Sequence, residues 1–203
     1  VAVLVVAWLL LFPPVRFHRA TQSAGNSMDA EAAALATQAR GRAREFWDGQ
    51  LLPGVAQAAD ANAVAAAIAR DAQHSAPQFG RRPGIGGRLY YFVRGEGRIQ
   101  RIDATGVWLE PVGGGVPVVL QLGPVFGNAV RDASGLADLR AMSSFEFNAL
   151  SAALNALAEE RVQPTLRAFS VGRRVRFAGC AVASRVGDAW VLRTVAIQAE
   201  APQ

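Results

Sequence analysis

Apolar positions along the chain keep three different rhythms. Val1 to Phe12 (VAVLVVAWLLLF) is an unbroken apolar run that ends at Pro13-Pro14. Between Asp29 and Asp71 apolar residues recur at helical spacing, and from Arg88 they alternate with a period of two. The stripe Leu35, Ala39, Ala43 and Phe46 predicts a helix from Asp29 to about Asp48. Asp29 and Glu31 place negative charge in its first turn, where the helix dipole favours it. Val55, Ala58, Ala61, Val64, Ala65 and Ile68 predict a second helix from Val55 to about Asp71, and the Gly/Pro-rich stretch Ser75 to Gly87 reads as a loop.

Strands are predicted at Arg88–Arg94, Arg98–Asp103, Val107–Val112 and Val116–Leu122, separated by glycine-containing turns. The first two also read as one long strand bent by a bulge at Gly95-Glu96-Gly97. Gly123 to Ser144 shows no period. Phe147, Leu150, Leu154 and Leu157 predict a third helix from Phe145 to about Val162, stopped by Pro164. Two closing strands, Arg173–Ala183 and Ala189–Gln198, meet at Val186-Gly187-Asp188. Strands, then a helix, then a hairpin is the order of an OB-type barrel; a generic α+β sheet is its rival. The expected class is therefore α+β. An OB-like antiparallel β-barrel over 88–203, with a helix before its closing hairpin, follows a helical segment over 28–87 and a signal or anchor segment with its tether over 1–27.

Twelve apolar residues fall short of the roughly 20 that span a bilayer as a helix. The run suits the core of a signal peptide or a short signal anchor. Export follows: a periplasmic protein tethered to the inner membrane by this segment, or released after cleavage. The alternative packs the segment inside the globule. Composition refines this only slightly. All 21 basic residues are arginine, and the formal net charge is +5, part of it from Arg16 and Arg19 beside the leader. That is too little for the electrostatic footprint of a nucleic-acid binder, so no nucleic-acid partner is expected. Cys180 is the only cysteine, which excludes an intrachain disulfide and a thiolate metal site, and its apolar context predicts a buried thiol. His18 and His74 are the only histidines and lie far apart, which argues against a histidine metal centre or a Ser-His-Asp triad. Neither a metal nor another cofactor is expected.

Several blocks carry a family likeness. They are Phe46-Trp47-Asp48-Gly49-Gln50-Leu51-Leu52-Pro53, Gly95-Glu96-Gly97, and Leu122 to Asp132 (LGPVFGNAVRD), followed by Leu154-Asn155 and by Gly172 to Gly179 (GRRVRFAG). In order and spacing, over roughly Arg44 to Gly179, the chain resembles the bacterial family called domain of unknown function 2291, the predicted periplasmic lipoproteins. The resemblance implies an exported, often lipid-anchored protein encoded beside sugar-uptake transporters of the ATP-binding-cassette (ABC) type. Two departures stand out. No lipobox cysteine follows the apolar run, so the leader itself would be the anchor, and Ser143-Ser144 stands where an Asn-Gln pair is expected.

Candidate binding residues come from these blocks. Arg131 and Asp132, with Asn128 before them, could hold a polyol or an anion through an arginine fork and a carboxylate; the alternative is a structural ion pair. Trp47, with Phe46, and Trp108 could stack on a sugar ring, or pack in the core. Asn155 could meet a ligand, or a backbone group. Glu159, Glu160 and Arg161 read as a solvated helix face. No Walker loop, nucleophile elbow or paired-carboxylate motif is present. The expected function is a non-enzymatic accessory or binding module, with an ABC transporter component or a periplasmic solute-binding protein as partner. The rivals are an oligosaccharide- or nucleic-acid-binding barrel face built on Arg98, Arg101 and Trp108, and a hydrolase using Asp132 and Glu146 as an acid–base pair.

Overall fold

The computed structural model describes residues 22–71, 78–83, 88–135, 142–182 and 188–199. The apolar leader, both histidines and most of the turn expected at 186–188 lie outside them. The chain forms two units, Val1–Ala34 and Leu35–Gln203. Residues 22–34 of the first are helical.

Helix α1 spans Gln22–Phe46, so it starts nearly two turns earlier than its acidic residues suggested. Its expected stripe does turn inward in the second unit, with Ala39, Ala43 and Phe46 buried. The helix then widens into a π turn, Trp47–Leu51, before short helical turns over Leu52–Gly54 and Val55–Gln57. Helix α2 covers Ala61–Arg70, shorter than the predicted span from Val55. Asp60 fixes its start, because the Asp60 side chain accepts a hydrogen bond from the Ala63 N–H at 2.9 Å. Just before it, Ala59–Asp60 forms the short strand β1, and Gly80–Arg81 forms β2.

Five longer strands close the barrel: β3 (Tyr90–Ile102), β4 (Gly106–Pro111), β5 (Val118–Gln121), β6 (Arg174–Val182) and β7 (Trp190–Ala199). Their order is β3-β4-β5-β7-β6, and β6 pairs back with β3. Neighbours are antiparallel except β5 and β7. This closed barrel, with a helix between β5 and β6, is the OB-type arrangement expected from the element order. Closure leans on β3, one continuous strand that pairs with β6 over Tyr90–Arg98 and with β4 over Gly97–Ile102. The expected bulge lies elsewhere. The register shift falls between Ile99 and Arg101, not at the glycines. Gly95 and Gly97 instead allow close approach. A Cβ on Gly95 would sit 2.9 Å from the Phe177 ring, and one on Gly97 2.9 Å from the Glu110 carbonyl oxygen.

Helix α3 (Ala129–Ser134) occupies part of the stretch that showed no period. All six of its residues are buried, the polar Arg131, Asp132 and Ser134 included, so it has no solvated face to give the sequence a rhythm. Helix α4 (Ser144–Arg161) begins with a capping box, in which Ser143 Oγ accepts the Glu146 N–H and the Glu146 carboxylate accepts the Ser143 N–H at 2.8 Å. The Ser143-Ser144 departure is thus a competent helix start. A short α5 follows over Gln163–Arg167. One core joins the layers: Leu154 and Leu166 from the helices and Val93, Ile99, Leu120 and Leu192 from the barrel are all fully buried.

Candidate functional site

The most distinctive sequence block is held along one face of α4. Ser151, Asn155 and Glu159 recur every four residues along α4, so their side chains lie on one side of it, and Gln163 continues the spacing as the first residue of α5. Each meets the segment Gly123–Arg131. Gln163 pairs with both polar groups of the Gly123 peptide, accepting its N–H at 3.3 Å and donating to its carbonyl. Glu159 Oε1 accepts the Val125 N–H at 2.6 Å, and Asn155 Nδ2 donates to the Gly127 carbonyl at 2.9 Å. Ser151 Oγ accepts from Arg131 Nη1 at 2.9 Å. From the other side, Gln121 Nε2 donates to the Pro124 carbonyl at 2.8 Å. Gly123 and Gly127 have φ of 83° and 84°, a left-handed geometry that glycine reaches without strain. Between them Val125 points inward and Phe126 outward, 6% and 74% exposed.

The two central candidates, Arg131 and Asp132, lie in the interior. Both are buried in α3, and the guanidinium grips the neighbouring carboxylate with two bonds, Nε–Oδ1 at 2.6 Å and Nη2–Oδ2 at 2.9 Å. Arg131 Nη1 adds the Phe147 carbonyl at 3.2 Å, and the guanidinium lies 5.0 Å from the centre of the Phe147 ring. The pair fastens α3 to α4, in the manner of the structural alternative. Asn128 is exposed; its carbonyl accepts the Asp132 N–H at 2.9 Å and its side chain makes no cap bond. Asn155 is buried on the Gly127 carbonyl. Trp47 is 1% exposed beside fully buried Leu51, and between them Asp48 meets Arg161 at 2.5 Å. The structure thus joins Arg131, Asp132 and Asn155 in one seam and leaves Trp47 apart, at the end of α1.

The acidic helix face is partly engaged too, since Glu159 serves the loop and Arg161, though exposed, pairs with Asp48, while Glu160 faces solvent. Asp132 and Glu146 make an implausible acid–base couple. Asp132 is committed to Arg131, while the Ser143 backbone N–H and then Arg42 hold the Glu146 carboxyl below the usual range. A general acid needs the opposite shift. Among the described residues no group of three or more His, Cys, Asp or Glu side chains could hold a metal ion. No helix among them is long and apolar enough to cross a membrane.

Cys180 is fully buried in β6, and burial pushes its thiol pKa far up. A thiol reagent at pH 8 should leave the native protein unlabelled and modify it stoichiometrically in denaturant. Native labelling on the same timescale would show that the strand opens.

Sequence reasoning overlooked the seam and the cap at Asp60. The four-residue repeat of Ser151, Asn155, Glu159 and Gln163 was the available signal for the first. It lay hidden because these polar residues interrupt the apolar stripe on which helix recognition depends.

A family model described as "Predicted periplasmic lipoprotein (DUF2291)" matches residues 5–196. No curated protein matches the chain. Among solved structures, the crystal structure of an OB-fold protein from Thermotoga maritima is similar, with a TM-score of 0.69 and 22% sequence identity. The likeness covers 80% of this chain and 98% of that one. At that identity it speaks for the fold alone.

Proposed function

The chain belongs to the DUF2291 family of predicted periplasmic lipoproteins, and from that premise we propose that it is a non-enzymatic accessory module of solute uptake, docking on an ABC-type sugar transporter or its solute-binding protein. Its place is the periplasm, tethered to the membrane. Cys180, inside β6, is not the lipid attachment point. The observation that carries the reading is the clamped loop. Gln121, Asn155, Glu159 and Gln163 fix its backbone, and Phe126 stands out from it 74% exposed. A large aromatic on a backbone already ordered loses little entropy on binding, which is what an interface anchor requires.

Co-purification of the membrane-tethered protein with transporter components tests this. Phe126→Ser should reduce capture at least tenfold, in line with the roughly 2 kcal/mol or more typical of an aromatic anchor. The melting temperature should stay put, because the ring touches little of its own fold. Unchanged capture by the variant would remove the loop from the interface.

A second reading has one observation in its favour. On the outer face of β3 and β4, Arg101 lies 4.1 Å from the centre of the Trp108 ring and meets Asp103 at 3.0 Å. An oligosaccharide- or single-strand-binding face could use that stacked pair. Affinity for oligonucleotides falling steeply with salt would support it; absence of binding at low salt would end it.

A further inference from the structure

A second feature lies on the outer face of the barrel, away from the clamped loop. A cleft of about 510 Å3 opens over β3, β6 and β7, within the roughly 300–1,000 Å3 range of small-molecule sites. We propose that it binds a small hydroxylated carboxylate, of the sugar-acid class, with Arg94 as the carboxylate receptor.

Strand register arranges the cleft in rows. Arg94 pairs with Ala178, which pairs with Ala196; two residues on, Glu96 pairs with Arg176, which pairs with Gln198. Register partners share a face, so the first row sets a guanidinium beside two short side chains, and the second is long and polar throughout. Two residues along a strand separate the rows by about 7 Å, close to the width of a sugar ring. The alanines leave the space, and the flanking groups supply the polarity.

The charges in the two rows are not equivalent. Glu96 and Arg176 meet at 2.8 Å, so they neutralise each other and offer hydrogen bonds, not net charge. Arg94 differs. Its register neighbour on β1 is Asp60, of opposite sign, yet the two form no ion pair. The Asp60 carboxylate is turned to the Ala63 N–H as the cap of α2. Among the described residues the Arg94 side chain consequently has neither a hydrogen-bond nor an ion-pair partner. A planar fork of donors without a carboxylate, beside two short alanine side chains, suits a ligand carboxylate in bidentate geometry. Hydroxyls on the same ligand would meet the Glu96 and Gln198 side chains. A simple cation would face Arg94, whereas one carboxylate with several hydroxyls matches a single guanidinium beside neutralised, hydrogen-bonding groups.

The inference is independent of the docking reading, since no residue of the loop lines the cleft. Calorimetric titration of the protein with glucuronate, glucose and alanine tests it. Glucuronate should bind saturably, at least tenfold more tightly than glucose or alanine, and more weakly as salt rises. Arg94→Gln should lose at least tenfold for glucuronate at an unchanged melting temperature, because Arg94 is exposed. Arg70→Gln, on the far end of α2, should bind as the parent does. Absence of saturable glucuronate binding, equal affinity for glucose, tighter binding of alanine, or an Arg94→Gln variant that binds normally would each overturn the proposal.

Discussion

Asp132→Ala is expected to lower stability by about 3–5 kcal/mol, the range for removing one partner of a buried ion pair. For a chain of this size that is a drop of roughly 10 °C in melting temperature. The carboxylate is nearly inaccessible, with 1% of its side-chain surface exposed, and both oxygens are held by Arg131. Once it is gone, the guanidinium keeps the Phe147 carbonyl and Ser151 Oγ but sits charged in the interior without a counter-ion. Removing both charges should be milder. Arg131→Met with Asp132→Leu should recover much of the loss, since apolar pairs of similar volume often replace buried ion pairs without cost. Urea denaturation of the parent, the single variant and the double variant measures the coupling. If instead the pair serves a ligand at an accessible site, Asp132→Ala would leave the unfolding midpoint nearly unchanged and abolish ligand binding.

That contrast bears on what the sequence could disclose. Periodicity placed β4, β5, β6, β7 and α4 to within a few residues, because each has one buried and one solvated side or a sustained apolar run. Order then pointed to the barrel, since few architectures put a helix between the third strand and a closing hairpin. Helix α3 escaped because every one of its six residues is buried, which leaves no contrast between faces. The start of α2 escaped because Val55 and Ala58 keep the helical spacing outside the helix itself, while the Asp60 cap decides where it begins. Interior and surface were hardest to tell apart for the distinctive blocks. Arg131-Asp132 and Trp47 are residue types equally at home in a binding site and a core. Only three-dimensional partners, such as Ser151 twenty residues downstream, separate the two. Arg94 shows the reverse. Its neighbour Asp60 is 34 residues away in sequence, and nothing local hints that the pair adjoins without bonding.

Trp47→Ala should be nearly as damaging as Asp132→Ala, at about 3–5 kcal/mol, and for a different physical reason. The indole is 1% exposed at the π turn where α1 ends, and it shares the core with Phe46, fully buried Leu51 and Leu154. Truncation there leaves a cavity the size of the ring system, lined by packed core groups that can collapse into it only in part. Trp47→Phe retains most of the volume and should cost clearly less. Asp48→Asn, next along the chain, should leave the melting temperature nearly unchanged, because the Asp48 carboxylate is 56% exposed and exposed ion pairs contribute little. The ordering of the three variants is the discriminating result. A tryptophan kept for stacking on a sugar ring would give the opposite pattern: Trp47→Ala would melt with the parent, and its defect would surface only in binding. Thermal melts of all three variants, read by circular dichroism so that loss of an indole does not alter the signal, separate a packed anchor from a ligand platform. With the ring closed off from solvent on every side, the melting temperature is where the loss has to appear.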